Sequence, residues 1–238
     1  CRKAQLMELS VLAALNAARK ARKGSLLLTN LATGQSEVLT EGEAWPEAFR
    51  EAAQKALRTG KSGTVEIEGA SVFLNVHLPP PRIVAIGAVH ITQALARFAP
   101  IVGYDLTIID PRTAFATPER FEGVDLVADW PEDVLPQRPL DAYTALAAVT
   151  HDPKIDDFAL AEGLRRGCFY VGALGSRKTH AKRLERLAAM GLSEAELSRI
   201  RAPIGLDIGA SSPEEIALAI MAEIVQAFRR RTLSGEAA

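Results

Sequence analysis

The sequence predicts an α/β protein whose main part is a mostly parallel sheet with helices on both faces, preceded by a small α+β domain. An apolar run at 82–86 ends at Gly87 and leads into a helical segment, which is how a nucleotide-binding half of such a sheet begins. Strand-like and helical segments then alternate along the chain, as they do in parallel sheets. Three prolines at 79–81 form a stiff boundary before this part. We therefore predict a small N-terminal domain at 1–78 and a Rossmann-like domain at 82–238.

The elements of the first domain follow from apolar periodicity and turn residues. Apolar residues recur at helical spacing from Leu6 to Ala17, cations follow in the last turn, and Gly24 ends the helix. Apolar residues alternate from Val72 to Leu78, which predicts a final strand. The prediction for this domain is helices at 4–22 and 45–57, with strands at 25–29, 36–39 and 72–78.

The second domain is predicted from the alternation of apolar runs with helical segments. Its strands are expected at 82–86, 106–109, around 124, 142–149 and 168–171, and its helices from about 91, at 156–166 and from 176. Two later helix starts carry capping signals. Ser193 and Glu196 match a capping box, and Ser212 precedes a proline and the acidic Glu215. We interpret both as structural, because capping already explains their spacing.

The first glycine turn departs from the dinucleotide-binding fingerprint. A G-x-G-x-x-G pattern that starts at Gly87 would place glycines where this chain has Val89 and Thr92. A β-branched side chain at 89 obstructs the close backbone approach that a pyrophosphate requires. Asp110 ends the next strand, where such folds place the carboxylate that binds a ribose, but it could equally cap the turn before Pro111. The sequence therefore predicts the scaffold of a nucleotide binder with an altered cradle, and NAD(P) binding is disfavoured but left open.

The loops after the carboxyl ends of the strands carry many cations and imidazoles, and ligands of open parallel sheets bind at this edge. Arg177 and Lys178 lie in a first helical turn, where cations oppose the helix dipole, so their placement favours a bound anion. Ser176 fits both a helix N-cap and a phosphate contact. The predicted ligand is a phosphate, a pyrophosphate or the phosphate of a pterin. The predicted cofactor-binding residues are Gly87, His90, Asp110, Arg112, His151, Asp152, Lys154, Gly175, Ser176, Arg177 and Lys178.

Composition and the missing motifs exclude several classes of protein. The 28 lysines and arginines nearly balance the 29 acidic residues, so no basic field is available for nucleic acid. Cys1 and Cys168 are too few for a disulfide framework or a cysteine zinc site, and Cys168 is interpreted as a core residue. No apolar run approaches the roughly twenty residues that span a bilayer, so we expect a cytoplasmic protein without a membrane partner. Cys1 could be a lipidation site, but a trimmed end is the simpler interpretation.

No catalytic or metal site is predicted. The hydrolase motif Gly-x-Ser-x-Gly, a Walker loop and a His-Glu-x-x-His pair are absent from the sequence. Its four histidines are scattered, and a metal site assembled from His90, His151 and His180 would rest on loop proximity alone.

Taken together, several loop sequences resemble the xanthine dehydrogenase accessory factor family, also called XdhC/CoxI. The resemblance covers roughly residues 82–228. It rests on Gly87-Ala88-Val89-His90, Asp110-Pro111-Arg112, Thr150-His151-Asp152-Pro153-Lys154, Gly172-Ala173-Leu174-Gly175-Ser176-Arg177, the segment 203–210 and the segment 213–217. Val89 replaces the second glycine of the family's usual Gly-Ala-Gly-His turn, which implies a weaker grip on a pyrophosphate. The glycine-rich segment with a cysteine that longer members carry is not found in the first 78 residues.

The resemblance implies a maturation factor for molybdenum hydroxylases of the xanthine dehydrogenase or carbon monoxide dehydrogenase type. Such a factor binds molybdenum cofactor as cargo and delivers it to the apo-enzyme, so a cofactor chaperone is favoured over a catalyst. The implied partner is the client hydroxylase, with a sulfurating enzyme and a second copy of the chain as further candidates. Two alternatives remain: an NAD(P)-dependent oxidoreductase with His151 as general acid or base, and a non-catalytic docking scaffold.

Overall fold

The computed structural model describes residues 8–231. The described residues up to Pro79, together with Arg229 to Arg231, form one compact unit, and Pro80–Phe228 forms a second. Cys1, Leu6 and the predicted helix start at residue 4 lie outside the described residues. Within 8–231, no helix combines the length and the apolar character that a bilayer-crossing segment needs.

The first unit is a four-stranded antiparallel sheet with two helices. In chain order it contains α1 (Leu9–Lys20), β1 (Ser25–Asn30), β2 (Ser36–Thr40), α2 (Glu47–Thr59), β3 (Gly63–Ile67) and β4 (Ala70–His77), and its strand order is β2-β1-β4-β3. Leu27 packs against α1, whereas Leu26 and Leu28 pack against α2, so the helices cover opposite faces of β1. The sequence prediction missed β3, an edge strand that pairs only with β4 and includes exposed Glu66.

The second unit is a six-stranded parallel sheet that alternates with helices. Its elements are β5 (Arg82–Ile86), α3 (His90–Ile101), β6 (Asp105–Ile109), β7 (Asp125–Val127), α4 (Pro131–Val134), β8 (Thr144–Ala148), α5 (Pro153–Arg165), β9 (Tyr170–Ala173), α6 (Arg177–Ala189), α7 (Glu194–Leu197), β10 (Ile200–Arg201) and α8 (Pro213–Arg230). The strand order β10-β9-β8-β5-β6-β7 starts at the centre and runs outward in both directions. This is the doubly wound Rossmann order, with its switch point between β5 and β8. The predicted fold class is confirmed.

The helices bury both faces of the parallel sheet. On one face, Leu160 of α5 and Leu187 of α6 pack in a cluster with Leu146 of β8. On the other face, Leu95 of α3 and Ile220 of α8 belong to a separate buried cluster. Helices α5 and α6 therefore share one face of the sheet, where they contact each other beside β8 and β9. That arrangement produces a cleft between the two helices.

Helix capping follows the sequence signals closely. Ser176 accepts a hydrogen bond from the Thr179 N–H at the start of α6, and Ser193 and Glu196 form the predicted capping box. Glu215 accepts from the Ser211 and Ser212 N–H groups while its own N–H donates to Ser212 Oγ. Helix α5 differs, because it begins at Pro153 with Asp152 as N-cap, ahead of the predicted start at 156.

Candidate functional site

The glycine turn after β5 is closed by hydrogen bonds within the protein. The Ala88 N–H donates to Asp110 Oδ2 at 2.7 Å, and the Val89 N–H donates to Thr92 Oγ1 at 2.9 Å. In a dinucleotide-binding fold, amides at this helix start would bind the pyrophosphate. Here both amides are already used, so the turn does not present them to a ligand.

Asp110 is fully buried and serves as the centre of this network. Besides the Ala88 N–H, it accepts hydrogen bonds from the Arg112 N–H, Nε and Nη2 at 2.8–3.0 Å. Burial opposes its ionisation, but the bonds from Arg112 and Ala88 outweigh burial and hold the pKa of Asp110 below its usual value. The structure gives Asp110 and Arg112 a turn-stabilising geometry, and ribose or phosphate recognition by them stays a prediction that would require this network to open.

The two loops at the switch point lie in direct contact. Gly87 has a φ of 121°, and a Cβ built there would lie 2.9 Å from Thr150 Cγ2. Only glycine combines that backbone conformation with so close an approach. His90 begins α3 and is exposed. The close packing of Gly87 against Thr150 fixes the positions of these two loops at the switch point.

Restoring a glycine at position 89 is consequently expected to have little effect on the affinity for a dinucleotide. Val89→Gly removes the side chain, but the amides of residues 88 and 89 remain bonded to Asp110 and Thr92. We expect no measurable NAD or NADP binding by calorimetry in the variant, as in the parent protein. Micromolar binding in Val89→Gly would show that side-chain bulk alone blocks the cradle.

The loop after β8 is held by Thr150. Its buried hydroxyl donates to Asp156 Oδ1 at 2.7 Å and accepts from the Asp152 N–H at 3.0 Å. Asp152 in turn caps α5 by accepting from the Lys154 N–H. His151 is exposed and adopts a φ of 66°, a conformation that costs a non-glycine residue about 1 kcal/mol or more. This backbone places His151 at the mouth of a cleft.

The cleft, here called the α5–α6 cleft, has a volume of about 260 Å³. It is lined by His151, Pro153, Asp156, Asp157, Lys178, Thr179, Lys182, Arg183 and Arg186. It lies at the carboxyl edge of β8 and β9, one strand away from the switch point. Two predicted site residues, His151 and Lys178, line it. The predicted residues Gly87, His90, Asp110, Arg112, Asp152, Lys154, Gly175, Ser176 and Arg177 do not.

Two charged residues in the cleft wall are almost completely buried. Arg183 is 2% exposed and Asp156 is 1% exposed. Arg183 Nη2 donates to the Leu174 carbonyl at 2.8 Å, whereas its Nε and Nη1 have no hydrogen-bond partner among the described residues. Asp156 Oδ1 accepts from Thr150, whereas Oδ2 likewise has no partner there. Each residue therefore keeps hydrogen-bonding capacity that the described fold does not use.

Burial controls the ionisation of both groups. Desolvation raises the pKa of Asp156 to about 6, and the Thr150 hydroxyl and the charge of Arg183 oppose that rise only in part. Desolvation also lowers the pKa of Arg183, against the attraction of Asp156 and Asp157. Their charges interact, but no salt bridge joins Asp156 to Arg183 in the described part of the chain.

A second acid–base pair stiffens the same cleft. Arg186 donates through Nε and Nη2 to the two carboxylate oxygens of Asp157, at 2.5 and 3.0 Å. Such bidentate pairs are geometrically well defined. Because Arg186 is neutralised by Asp157, the uncompensated positive charge of the cleft comes from Lys178 and Lys182 at its rim.

Sequence reasoning missed Arg183 and gave Asp156 no role in a site. A signal for Arg183 was available, because it precedes buried Leu187 by one helical turn and so occupies the core-facing side of α6.

Cys168 is buried as predicted, and burial raises the pKa of its thiol to about 12. Within residues 8–231, no group of histidine, cysteine or acidic side chains is arranged to hold a metal ion.

The second unit of this chain matches a known protein family. Residues 83–224 match the model of the XdhC Rossmann domain. The chain is 30% identical over 191 residues to a Bacillus subtilis protein described as a probable xanthine dehydrogenase subunit, covering 78% of this chain and 54% of that protein. It is 31% identical over 146 residues to the molybdenum cofactor insertion chaperone PaoD of Escherichia coli, covering 61% and 40% respectively.

A solved structure shares the fold. A crystal structure described as a xanthine dehydrogenase from Bacillus halodurans superposes with a TM-score of 0.60 at 23% identity, covering 94% of this chain and 66% of that one. At this identity the likeness concerns the fold alone. The chain spans about half or less of the length of the curated relatives from Bacillus subtilis and Escherichia coli.

Proposed function

This chain belongs to the XdhC family, and on that premise we propose that it binds molybdenum cofactor as cargo and delivers it to an apo molybdenum hydroxylase. The observation that carries the proposal is the α5–α6 cleft, whose wall holds buried Arg183 with two unused N–H donors. A relative over this region is a molybdenum cofactor insertion chaperone. The proposed client is an enzyme of the xanthine dehydrogenase or carbon monoxide dehydrogenase type.

The residues of the cleft suit the chemistry of this cargo. Molybdenum cofactor joins a pterin ring system to a phosphate and to a dithiolene that holds the metal. Lys178 and Lys182 at the rim supply positive charge for the phosphate, and neither forms a salt bridge with a described acidic residue. Reversible binding by such contacts needs no turnover, which fits a protein that holds its cargo and then releases it. A sulfurating enzyme and a second copy of the chain complete the proposed set of partners.

The proposal is tested by binding and transfer under anaerobic conditions. The purified protein should bind released molybdenum cofactor tightly, protect it from oxidation, and restore activity to a cofactor-free molybdenum hydroxylase. NAD and NADP should not compete. Hydride transfer to a small substrate, or failure to retain the cofactor through gel filtration, would remove the chaperone role.

The lysine contribution can be measured separately. We expect the double substitution Lys178→Met and Lys182→Met to weaken cofactor affinity by about tenfold at low salt, since two partly exposed contacts to a phosphate contribute about 0.5 to 1 kcal/mol each. The difference should shrink at about 0.5 M salt as the charges are screened. Arg97→Met, a change of an exposed cation on α3, serves as the matched control. Equal affinities for the double variant and the control would place the phosphate elsewhere.

A further inference from the structure

Asp156 and Arg183 have opposite hydrogen-bonding character, and both line the α5–α6 cleft. Asp156 Oδ2 is an unused acceptor, and Arg183 Nε and Nη1 are unused donors. They approach from different helices, Asp156 from the first turn of α5 and Arg183 from the middle of α6. The lining of the cleft therefore holds both an acceptor and donors that a ligand could use.

The unpartnered polar atoms of Asp156 and Arg183 lower the stability of the fold unless a ligand binds to them. Buried polar atoms in proteins nearly always have partners, and a charged atom left without one destabilises the fold by more than a neutral atom does. Packing does not force the arrangement, because Asp157 and Arg186 show that the same two helices can form a satisfied ion pair. The unused capacity of Asp156 and Arg183 is best explained by a ligand.

The charges restrict what that ligand can be. A phosphate at this point would be repelled by Asp156, and a simple cation would be repelled by Arg183. A neutral group that carries N–H donors beside a carbonyl acceptor satisfies both residues. The volume of about 260 Å³ lies just below the range of roughly 300–1,000 Å³ for drug-sized ligands, so it suits one compact ring system.

We propose that Asp156 and Arg183 recognise the 2-amino-4-oxopyrimidine edge of a pterin. Asp156 Oδ2 accepts a hydrogen bond from the 2-amino group, and Arg183 donates from Nε or Nη1 to the 4-oxo oxygen. This inference rests on the proposed function and deepens it, because it assigns the ring to the cleft wall and leaves the phosphate to the lysines of the rim. The atoms involved expose less than 1 Å² each, so the side chains that cover them must move aside during binding.

The experiment compares two ring systems that differ at one position. Binding of pterin and of lumazine, which carries an oxygen in place of the 2-amino group, is measured at about pH 7.5 by fluorescence titration of the purified protein. We expect the parent protein to bind pterin at least tenfold more tightly than lumazine, because the lumazine oxygen would face the Asp156 carboxylate. Equal affinities in the parent protein would overturn the inference without recourse to any variant.

Two variants sharpen the result. Asp156→Asn replaces the acceptor with an amide that can donate to the lumazine oxygen. The preference for pterin over lumazine should therefore fall by at least tenfold, and the affinity for lumazine should rise. The matched control Asp207→Asn changes an exposed carboxylate outside the cleft and should keep the parent ratio. A ratio unchanged in Asp156→Asn would contradict the assignment.

Guanine carries the same edge, so guanosine is titrated in parallel. Tighter binding of pterin than of guanosine is the expected result, and tighter binding of guanosine would overturn the pterin assignment in favour of a guanine nucleotide. Transfer of molybdenum cofactor to the apo-hydroxylase is measured on the same preparations. If transfer succeeds while pterin and lumazine bind alike, the ring assignment fails and the chaperone role stands. If transfer fails while pterin is preferred over lumazine, the chaperone role fails and the ring assignment stands.

Discussion

Replacing Arg183 with glutamine is expected to lower the affinity for molybdenum cofactor by about 100-fold. The guanidinium is buried in the wall of the α5–α6 cleft, and two of its donors have no partner among the described residues. Removing one partner of a buried, hydrogen-bonded charge interaction costs about 2 to 5 kcal/mol, and each 1.4 kcal/mol is a factor of ten. The measurement is a competition titration with molybdenum cofactor under anaerobic conditions.

Arg183 also supports the fold, so stability is followed alongside affinity. Its Nη2 holds the Leu174 carbonyl at the end of β9, and glutamine can keep that bond only if its shorter side chain reaches. Arg183→Lys serves as the matched comparison, because it retains the charge but loses the planar fork of donors. A folded Arg183→Gln protein with parent affinity would exclude Arg183 from the site. Similar losses in the lysine and glutamine variants would show that the fork, rather than the charge, binds the ligand.

The second large effect concerns stability, and here the substitution is expected to be favourable. Asp156→Asn is expected to raise the free energy of unfolding at pH 7.5 by on the order of 1 to 3 kcal/mol, even though it is also expected to weaken pterin recognition. The reason is that burial raises the pKa of Asp156 to about 6 in the folded protein, from an ordinary value of 3.8. Holding this carboxylate charged in the folded state therefore costs free energy.

The pH dependence identifies the origin of the effect. Below pH 3.8 the carboxyl is protonated in both the folded and unfolded states, so it does not make stability depend on pH. Between pH 3.8 and about 6 the folded state keeps its proton while the unfolded state loses it, so the parent protein loses stability as pH rises through this window. Above about pH 6 the loss is complete.

Urea denaturation of the parent protein and Asp156→Asn at about pH 4 and about pH 7.5 measures this difference. The advantage of the variant should be small at the lower pH and full at the higher one, and Asp207→Asn should show no such trend because its carboxylate is exposed. An Asp156→Asn protein less stable than the parent at the higher pH would mean that the carboxylate has a stabilising partner. A residue that binds ligand at the expense of stability is common in functional sites.

Much of the fold was predictable because its signals are local. The run at 82–86 and Gly87 predicted β5 and its turn, and the order of strands and helices predicted the parallel sheet. The capping residues Ser176 and Ser193 marked helix starts correctly, since a cap depends on residues within one turn. The edge strand β3 (Gly63–Ile67), which pairs with β4, was missed.

The candidate site was predictable only in part. His151 and Lys178 were identified as members of a cationic rim, and both line the α5–α6 cleft. Arg112 was assigned to the same cationic rim and Asp110 to ribose binding, but in the structure they bind each other. Charge and loop position suggest which side chains approach an edge of the sheet, but they do not specify whether a side chain meets a ligand or a neighbouring carboxylate.

By itself, the sequence determined the family and the doubly wound sheet, because periodicity, turn residues and motif order are properties of contiguous segments. Only the tertiary structure decided that the glycine turn is closed by Asp110 and Thr92 and that Arg183 and Asp156 are buried with unused hydrogen-bonding atoms. These facts depend on how α5 and α6 pack on β8 and β9, and on loops far apart in the chain. Helical spacing indicates that Arg183 lies on the core-facing side of α6, but the choice of hydrogen-bonding partner arises from that packing and is not encoded in a local pattern.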